Sequence, residues 1–289
     1  LRKTSVSALL FDAGNHVFFI LLACTTLLPF VYLFSLSISS AETSFATIRL
    51  LPTHATFRNY EVVLHNPLIG YGFINSIVRT VLGTALSVFV TVMTAYALSR
   101  SYMPHRTFWL IFITFTMFFS GGLIPNYLLV KSLGLFNSVW ALVLPSLVQT
   151  FQLIIARNFI MTIPEALEES AKIDGAGEFT VLFRIILPLS LPIIATLSLW
   201  TAVGHWNAWF DSLIYISEAK KQVMMVVMRN IVLSGQLPDV FDASPSTAVV
   251  TPETLKAATI MVTTLPILVV YPFVQKYFVK GMLIGSVKG

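Results

Sequence analysis

Residues 163–188 read "IPEALEESAKIDGAGEFTVLFRIILP", a polar stretch between two apolar runs that are each long enough to cross a membrane. It carries Glu165, Glu168, Glu169, Lys172, Asp174, Glu178 and Arg184 in a 289-residue chain that is 56% hydrophobic and only 11% charged. Thr162 followed by Glu165, with Pro164 at a first helical position, predicts a helix started by a capping box. Glu165, Glu168 and Glu169 then fall in the first turns, where the helix dipole favours anions, and Glu168 is spaced to pair with Lys172 at i,i+4. Asp174 and Gly175 predict the stop, glycine supplying a left-handed cap. Phe179, Leu182, Phe183 and Ile186 recur at helical spacing, so a second helix with one apolar face follows, before Pro188 and Pro192 hand over to the next run. Residues 161–190 are therefore expected to form a short acidic helix, a tight turn and a surface-lying helix. On these residues alone the object is either a solvated connector or a docking hairpin.

Outward from this stretch, six segments reach the roughly 20 apolar residues that a spanning helix needs: 17–37, 73–98, 108–130, 139–160, 191–216 and 257–278. Long, unalternating apolar runs predict helices rather than barrel strands. The first is too long for a cleavable signal and lacks a small-residue cleavage site. Gly121, Gly122 and Pro125 predict a break in the third. An even count puts both termini on one side, and the Lys/Arg tally, ten against seven, favours that side as the inside. Segments 39–72 and 218–256 then become outer loops. The net charge of +5 is scattered singly rather than in a basic stripe, which fits anionic lipid headgroups better than nucleic acid. The single cysteine, Cys24, excludes a disulfide framework and metal-ligand spacing.

Polar residues at membrane depth are the candidates for a solute path. "GHWNAWFD", residues 204–211, sets His205, Trp206, Asn207, Trp209 and Asp211 together. Aromatic faces stack on sugar rings and amides or carboxylates bond hydroxyls, although an aromatic belt at headgroup level is the competing use. Arg79, inside the second segment, is placed either to neutralise an acidic sugar or to bond a neighbouring helix. Asn75, Gln149 and Gln152 are further path candidates, with interhelical hydrogen bonding as their other role.

The opening stretch resembles the signature of permease subunits of ATP-binding-cassette importers: Glu-Ala-Ala, three residues, Gly, nine residues, Ile, one residue, Leu-Pro. Here Glu169, Ser170 and Ala171 stand for the triplet, followed by Gly175, Ile185, Leu187 and Pro188, with Ser170 the one departure. "AYALSR", "TMFFSGGLIPNYLLVKSLGLFNSVWALVLP", "AVGHWNAWFDSLIY" and "ATIMVTTLPILVVYPFVQKYFVKGMLIGSVKG" extend the resemblance over nearly the whole chain. They are similar to the carbohydrate-uptake branch, in particular the second permease of the maltose importer and a subgroup for complex-polysaccharide or alginate oligosaccharides. The resemblance implies an all-α fold of six transmembrane helices, a type I importer permease forming one domain over residues 1–289. It implies a coupling helix that enters a groove of a cytoplasmic ATPase, with Glu168, Glu169, Ser170, Ala171, Asp174 and Gly175 in the contact and Glu169 facing a basic residue. It further implies a tail, 279–289, whose Gly285, Ser286, Val287, Lys288 and Gly289 reach between two ATPase subunits. A second permease, an extracytoplasmic sugar-binding protein and a bacterial inner membrane complete the expected setting. The chain would bind no cofactor, ATP and magnesium belonging to the ATPase. No Gly-x-x-x-x-Gly-Lys-Ser/Thr phosphate loop occurs in the sequence. A self-contained secondary transporter, which would favour paired intramembrane carboxylates or inverted repeats, is the alternative. An intramembrane hydrolase using His205 lacks a nucleophile motif.

Overall fold

The computed structural model describes residues 6–40, 50–52, 54–235 and 250–286. Val287, Lys288, Gly289 and much of the second predicted outer loop lie outside the described residues; Gly285 and Ser286 close a helix. Among the described residues every regular element is helical. In chain order they are α1 (Val6–Ser37), α2 (Arg58–His65), α3 (Pro67–Ser99), α4 (Arg106–Phe118), α5 (Leu123–Ser132), α6 (Trp140–Val143) and α7 (Thr150–Ile160). Then come α8 (Ala166–Ile173), α9 (Glu178–Val181), α10 (Leu187–Leu189), α11 (Leu191–Asn207), α12 (Phe210–Tyr215), α13 (Met224–Ser234) and α14 (Pro252–Ser286).

All six predicted apolar segments are helical, but only α1, α3 and α14 pass through theirs as unbroken helices. The third segment is the pair α4 and α5, bent by 114° at residues 119–122, where Gly122 takes φ +90°. This break was legible. The fourth was expected to be continuous and is instead bent by 54° between Trp140–Ser146 and Thr150–Ile160. Pro145 lies in a 3₁₀ turn, Leu144–Ser146, that lacks one donor for the helix ladder. The fifth segment also departs from expectation. α11 stops at Asn207 and α12 restarts at Phe210, so 191–216 is not one rod. Its approach, Glu178–Leu189, is bent by 78° from α11 at Ser190, between Pro188 and Pro192, and contains a π-helical stretch, Leu182–Ile186.

The chain packs as two compact units, Leu1–Ile69 with Met228–Leu265, and Gly70–Val227 with Pro266–Gly289. In the first, the buried Asn59 amide donates to the Ser37 and Ser39 carbonyls at 2.8 and 2.9 Å, satisfying acceptors at the end of α1. In the second, one core cluster gathers Ala95 and Leu98 of α3, Leu153, Ala156 and Ile160 of α7, Val181, Leu182 and Ile186, and Leu197 of α11. Another joins Val130, Ala141, Leu142, Tyr215, Val223 and Val226. The predicted site residues among the described ones all lie in this second unit.

Candidate functional site

The polar hairpin is built as predicted at its end and differently at its start. Thr162 forms no capping box: its hydroxyl donates back to the Phe159 carbonyl at 2.7 Å, closing α7, and α8 begins at Ala166 with no side-chain cap. The stop is a Schellman motif. The Gly175 N–H donates to the Lys172 carbonyl at 3.0 Å and the Ala176 N–H to Ala171 at 2.9 Å, with Gly175 at φ +84°. Ala171 and Ala176 pack, with Ile163, against the core cluster that contains Leu98. The hairpin is thus fixed to the bundle on one side. The apolar face of the second helix divides, Leu182 and Ile186 entering the core while Phe179 and Phe183 stay exposed.

The two adjacent glutamates go opposite ways. Glu168 is only 5% exposed and forms an ion pair with Arg100, which follows α3 and is itself buried. The expected i,i+4 pair with Lys172 is absent, because Lys172 instead meets Glu178 at 2.7 Å across the turn. Burial pushes the Glu168 carboxyl up, against the pull of Arg100 and Lys172. The hydrogen bond to Glu178 raises Lys172. Glu169, Ser170 and Asp174 are exposed, as is Ile173 at 85%. α8 therefore presents Glu169 and Ile173 outward, one turn apart, while Glu168 and Lys172 are engaged within the chain. Of the acidic pair grouped by sequence, only Glu169 is available to another molecule.

Sequence reasoning missed the groups that receive these charges. Arg100 lies 4.4 Å over the Tyr96 ring. The Tyr96 and Tyr102 hydroxyls donate to Glu178 at 2.9 and 2.8 Å. Arg157 donates from Nε to the Leu98 carbonyl at 2.9 Å and Arg106 reaches the Arg100 carbonyl at 3.5 Å, so cations gather where α3 leaves its carbonyls unsatisfied. The stretch 163–188 holds five carboxylates and only two cations. That imbalance was the signal that partners had to come from elsewhere, and the end of "AYALSR" supplies one.

A second polar cluster joins α3 to α11 and α12. Arg79, 2% exposed, forks onto both carboxylate oxygens of Asp211 and donates to the Ala208 carbonyl at 3.1 Å. Asp211, in the first turn of α12, also accepts the Ser212 N–H at 2.8 Å. These contacts account for the break in the fifth segment, since Ala208 bonds an arginine instead of continuing a helix. His205 is buried against Gly83, and Trp206 packs with Phe73 at a centroid distance of 6.2 Å. A Cβ at position 83 would stand 2.4 Å from His205 Nε2, inside contact distance. Gly83→Ala is accordingly expected to destabilise the chain by about 1–3 kcal/mol, the usual cost of overpacking. Thermal unfolding in detergent would register it, and His205→Ala in the same chain should recover most of the loss.

The remaining path candidates are largely structural. Asn75 donates to the Lys220 and Gln222 carbonyls at 2.8 and 3.0 Å. Gln152 is buried, donating to Gln149 and accepting from Thr201, each at 3.0 Å, which links α7 to α11. Arg79 and Asp211 neutralise one another. Asn207 and Trp209 are exposed.

Residues 101–284 match the family model described as binding-protein-dependent transport system inner membrane component. The polygalacturonan/rhamnogalacturonan transport system permease protein YtcP of Bacillus subtilis (strain 168) is 41% identical over 286 residues, 97% of this chain and 99% of that one. Protein LplC of the same organism is 43% identical over 280 residues, covering 96% and 95%. A chain in the crystal structure of a bacterial ABC transporter involved in the import of the acidic polysaccharide alginate superposes with a TM-score of 0.88 at 32% identity, covering 96% of this chain and 100% of the other.

Proposed function

This chain belongs to the family of binding-protein-dependent transport system inner membrane components, and from that premise we propose that it forms half of the path of an ATP-driven importer of acidic oligosaccharides. It is a membrane-embedded transport component rather than an enzyme. The acidic substrate class is supported by two relatives of high coverage, one named for polygalacturonan and rhamnogalacturonan and one for alginate. A second permease, two ATPase chains that carry ATP and magnesium, and an extracytoplasmic sugar-binding protein complete the assembly. Both termini face the cytoplasm, in keeping with the Lys/Arg tally. The end of α14, with Gly285 and Ser286, then lies on the ATPase side.

The observation that carries the coupling role is that, of two neighbouring carboxylates, one is buried and the other exposed. Glu168 is tied to Arg100, while Glu169 stands exposed on a helix whose end is closed by Gly175. An anchored helix with one outward carboxylate suits a groove with a basic residue. ATP-driven closure of the ATPase pair then moves α8, and the bundle rocks between outward and inward openings. Arg79 is balanced by Asp211, so sugar contact within this chain falls to Asn207 and Trp209 rather than to a bare cation.

The test is ATP hydrolysis by the purified complex in proteoliposomes, with a binding protein loaded with uronic or neutral oligosaccharides. Uronic loading is expected to stimulate hydrolysis several-fold more than neutral loading, with uptake following. Equal stimulation by neutral sugars would overturn the substrate class. Uptake driven by an ion gradient without ATP would overturn the importer reading.

A further inference from the structure

The turn after α3 is tied to the α8 hairpin by more than packing. Ile163, Ala171 and Ala176 already lie on the apolar cluster that includes Leu98. Apolar contact is non-directional and lets a short helix roll or slide. The polar contacts fix its register. Arg100 reaches Glu168 in an ion pair buried on both sides. Glu178, just past the turn, is held by Lys172 at 2.7 Å and by the Tyr96 and Tyr102 hydroxyls at 2.9 and 2.8 Å. Lys172 also lies over the Tyr102 ring at 4.6 Å. Buried Glu168 and exposed Lys172 of α8 therefore reach Arg100 and Tyr102, the residues that follow α3.

Such an arrangement is poorly explained as a device for stability. A buried ion pair gains little over apolar residues of similar volume, because desolvation offsets the attraction. What a close pair of opposite charges adds is a preferred relative position, since pulling the two apart strands each of them. α3 runs unbroken from Pro67 to Ser99 and carries Arg79, whose fork holds Asp211 in α12. A shift imposed at one end of that helix is passed along it.

We propose that the Arg100–Glu168 pair, together with the Tyr96 and Tyr102 hydroxyls on the Glu178 that Lys172 holds, forms a link that passes displacement of α8 to α3, so that Arg100 and Glu168 are positioning residues for transport. This rests on the coupling role assigned to α8 above. Glu169 engages the ATPase, and the link conveys the result to the bundle.

The experiment compares sugar taken up per ATP hydrolysed in proteoliposomes containing the complete complex. With the unaltered chain, absence of ATP-dependent uptake would count against the importer reading itself and not against the link. In Glu168→Gln, hydrolysis and ATPase binding should persist while uptake per ATP falls about tenfold, the scale of one lost charge-assisted contact. The doubly apolar variant, Arg100→Met with Glu168→Met, leaves no buried charge unpaired and should assemble even where the single variant does not. Its uptake per ATP should stay low. Full recovery there would overturn the proposal, since it would show that the pair serves only charge compensation. Lys172→Met, on the exposed side, should lower the same ratio without loss of assembly, and an unchanged ratio would equally overturn it.

Discussion

Glu169→Lys is expected to abolish ATP-driven uptake while leaving the chain folded in the membrane. Among the described residues the Glu169 side chain has no ion pair or hydrogen bond that holds α8 in place: the helix is closed by Gly175 and anchored through Ala171 and the Glu168 ion pair. Reversing its charge therefore spares the hairpin and changes only what the hairpin offers. Against a basic groove the variant loses an attraction and gains a repulsion, and like charges brought together at an interface cost several kcal/mol. At 1.4 kcal/mol per factor of ten, ATPase binding should weaken by at least about 100-fold. Co-purification of the ATPase with the tagged permease and uptake into proteoliposomes would check this. If Glu169→Lys retained both, the coupling assignment would be wrong. Glu168→Lys should fail differently, through misfolding, because it sets a second cation beside buried Arg100.

The second large effect concerns Arg79. Asp211→Leu leaves its guanidinium buried with only the Ala208 carbonyl, and is expected to cost roughly 3 kcal/mol or more, the penalty for stranding one member of a buried pair. Yield of assembled complex and thermal stability in detergent should both drop. Arg79→Leu combined with Asp211→Leu removes both charges and should regain most of the stability. The double variant also separates structure from transport. If it assembles and still takes up uronic oligosaccharides, Arg79 serves the fold. If it assembles and takes up neutral sugars alone, the guanidinium meets the substrate. Tolerance of the single variant would refute the energetic argument.

The helical membrane character followed from apolar length alone, and the break at Gly121 and Gly122 from the two residues able to make it. Gly175 was equally readable, because a helix stop with a left-handed residue is written in local sequence. The breaks at residues 147–149 and 208–209 were not. The first follows a single Pro145 inside an otherwise apolar run, and the second depends on Arg79, more than 120 residues away, taking the Ala208 carbonyl. The capping box failed for a related reason. The Thr162 hydroxyl could accept a backbone N–H at the start of α8 or donate to a carbonyl at the end of α7, and it donates to Phe159. Glu168 and Glu169 could not be told apart by composition, since helical periodicity separates their directions by about 100° but does not say which faces the bundle. Only the position of Arg100 decides that. Gly83 carried no signal at all, its requirement arising from a histidine on another helix.

The unbroken 33 residues of α3 make it about 50 Å long, against a hydrocarbon layer of roughly 30 Å. Arg79 and Arg100 are 21 residues apart, about 32 Å along the axis, so the two arginines nearly match that layer while the N-terminal turns extend beyond Arg79. Bilayer thickness then becomes a mechanical variable. A thinner membrane makes the helix tilt, a thicker one draws Arg79 and Arg100 toward oil, and in either case the angle at which the shaft meets the coupling hairpin changes.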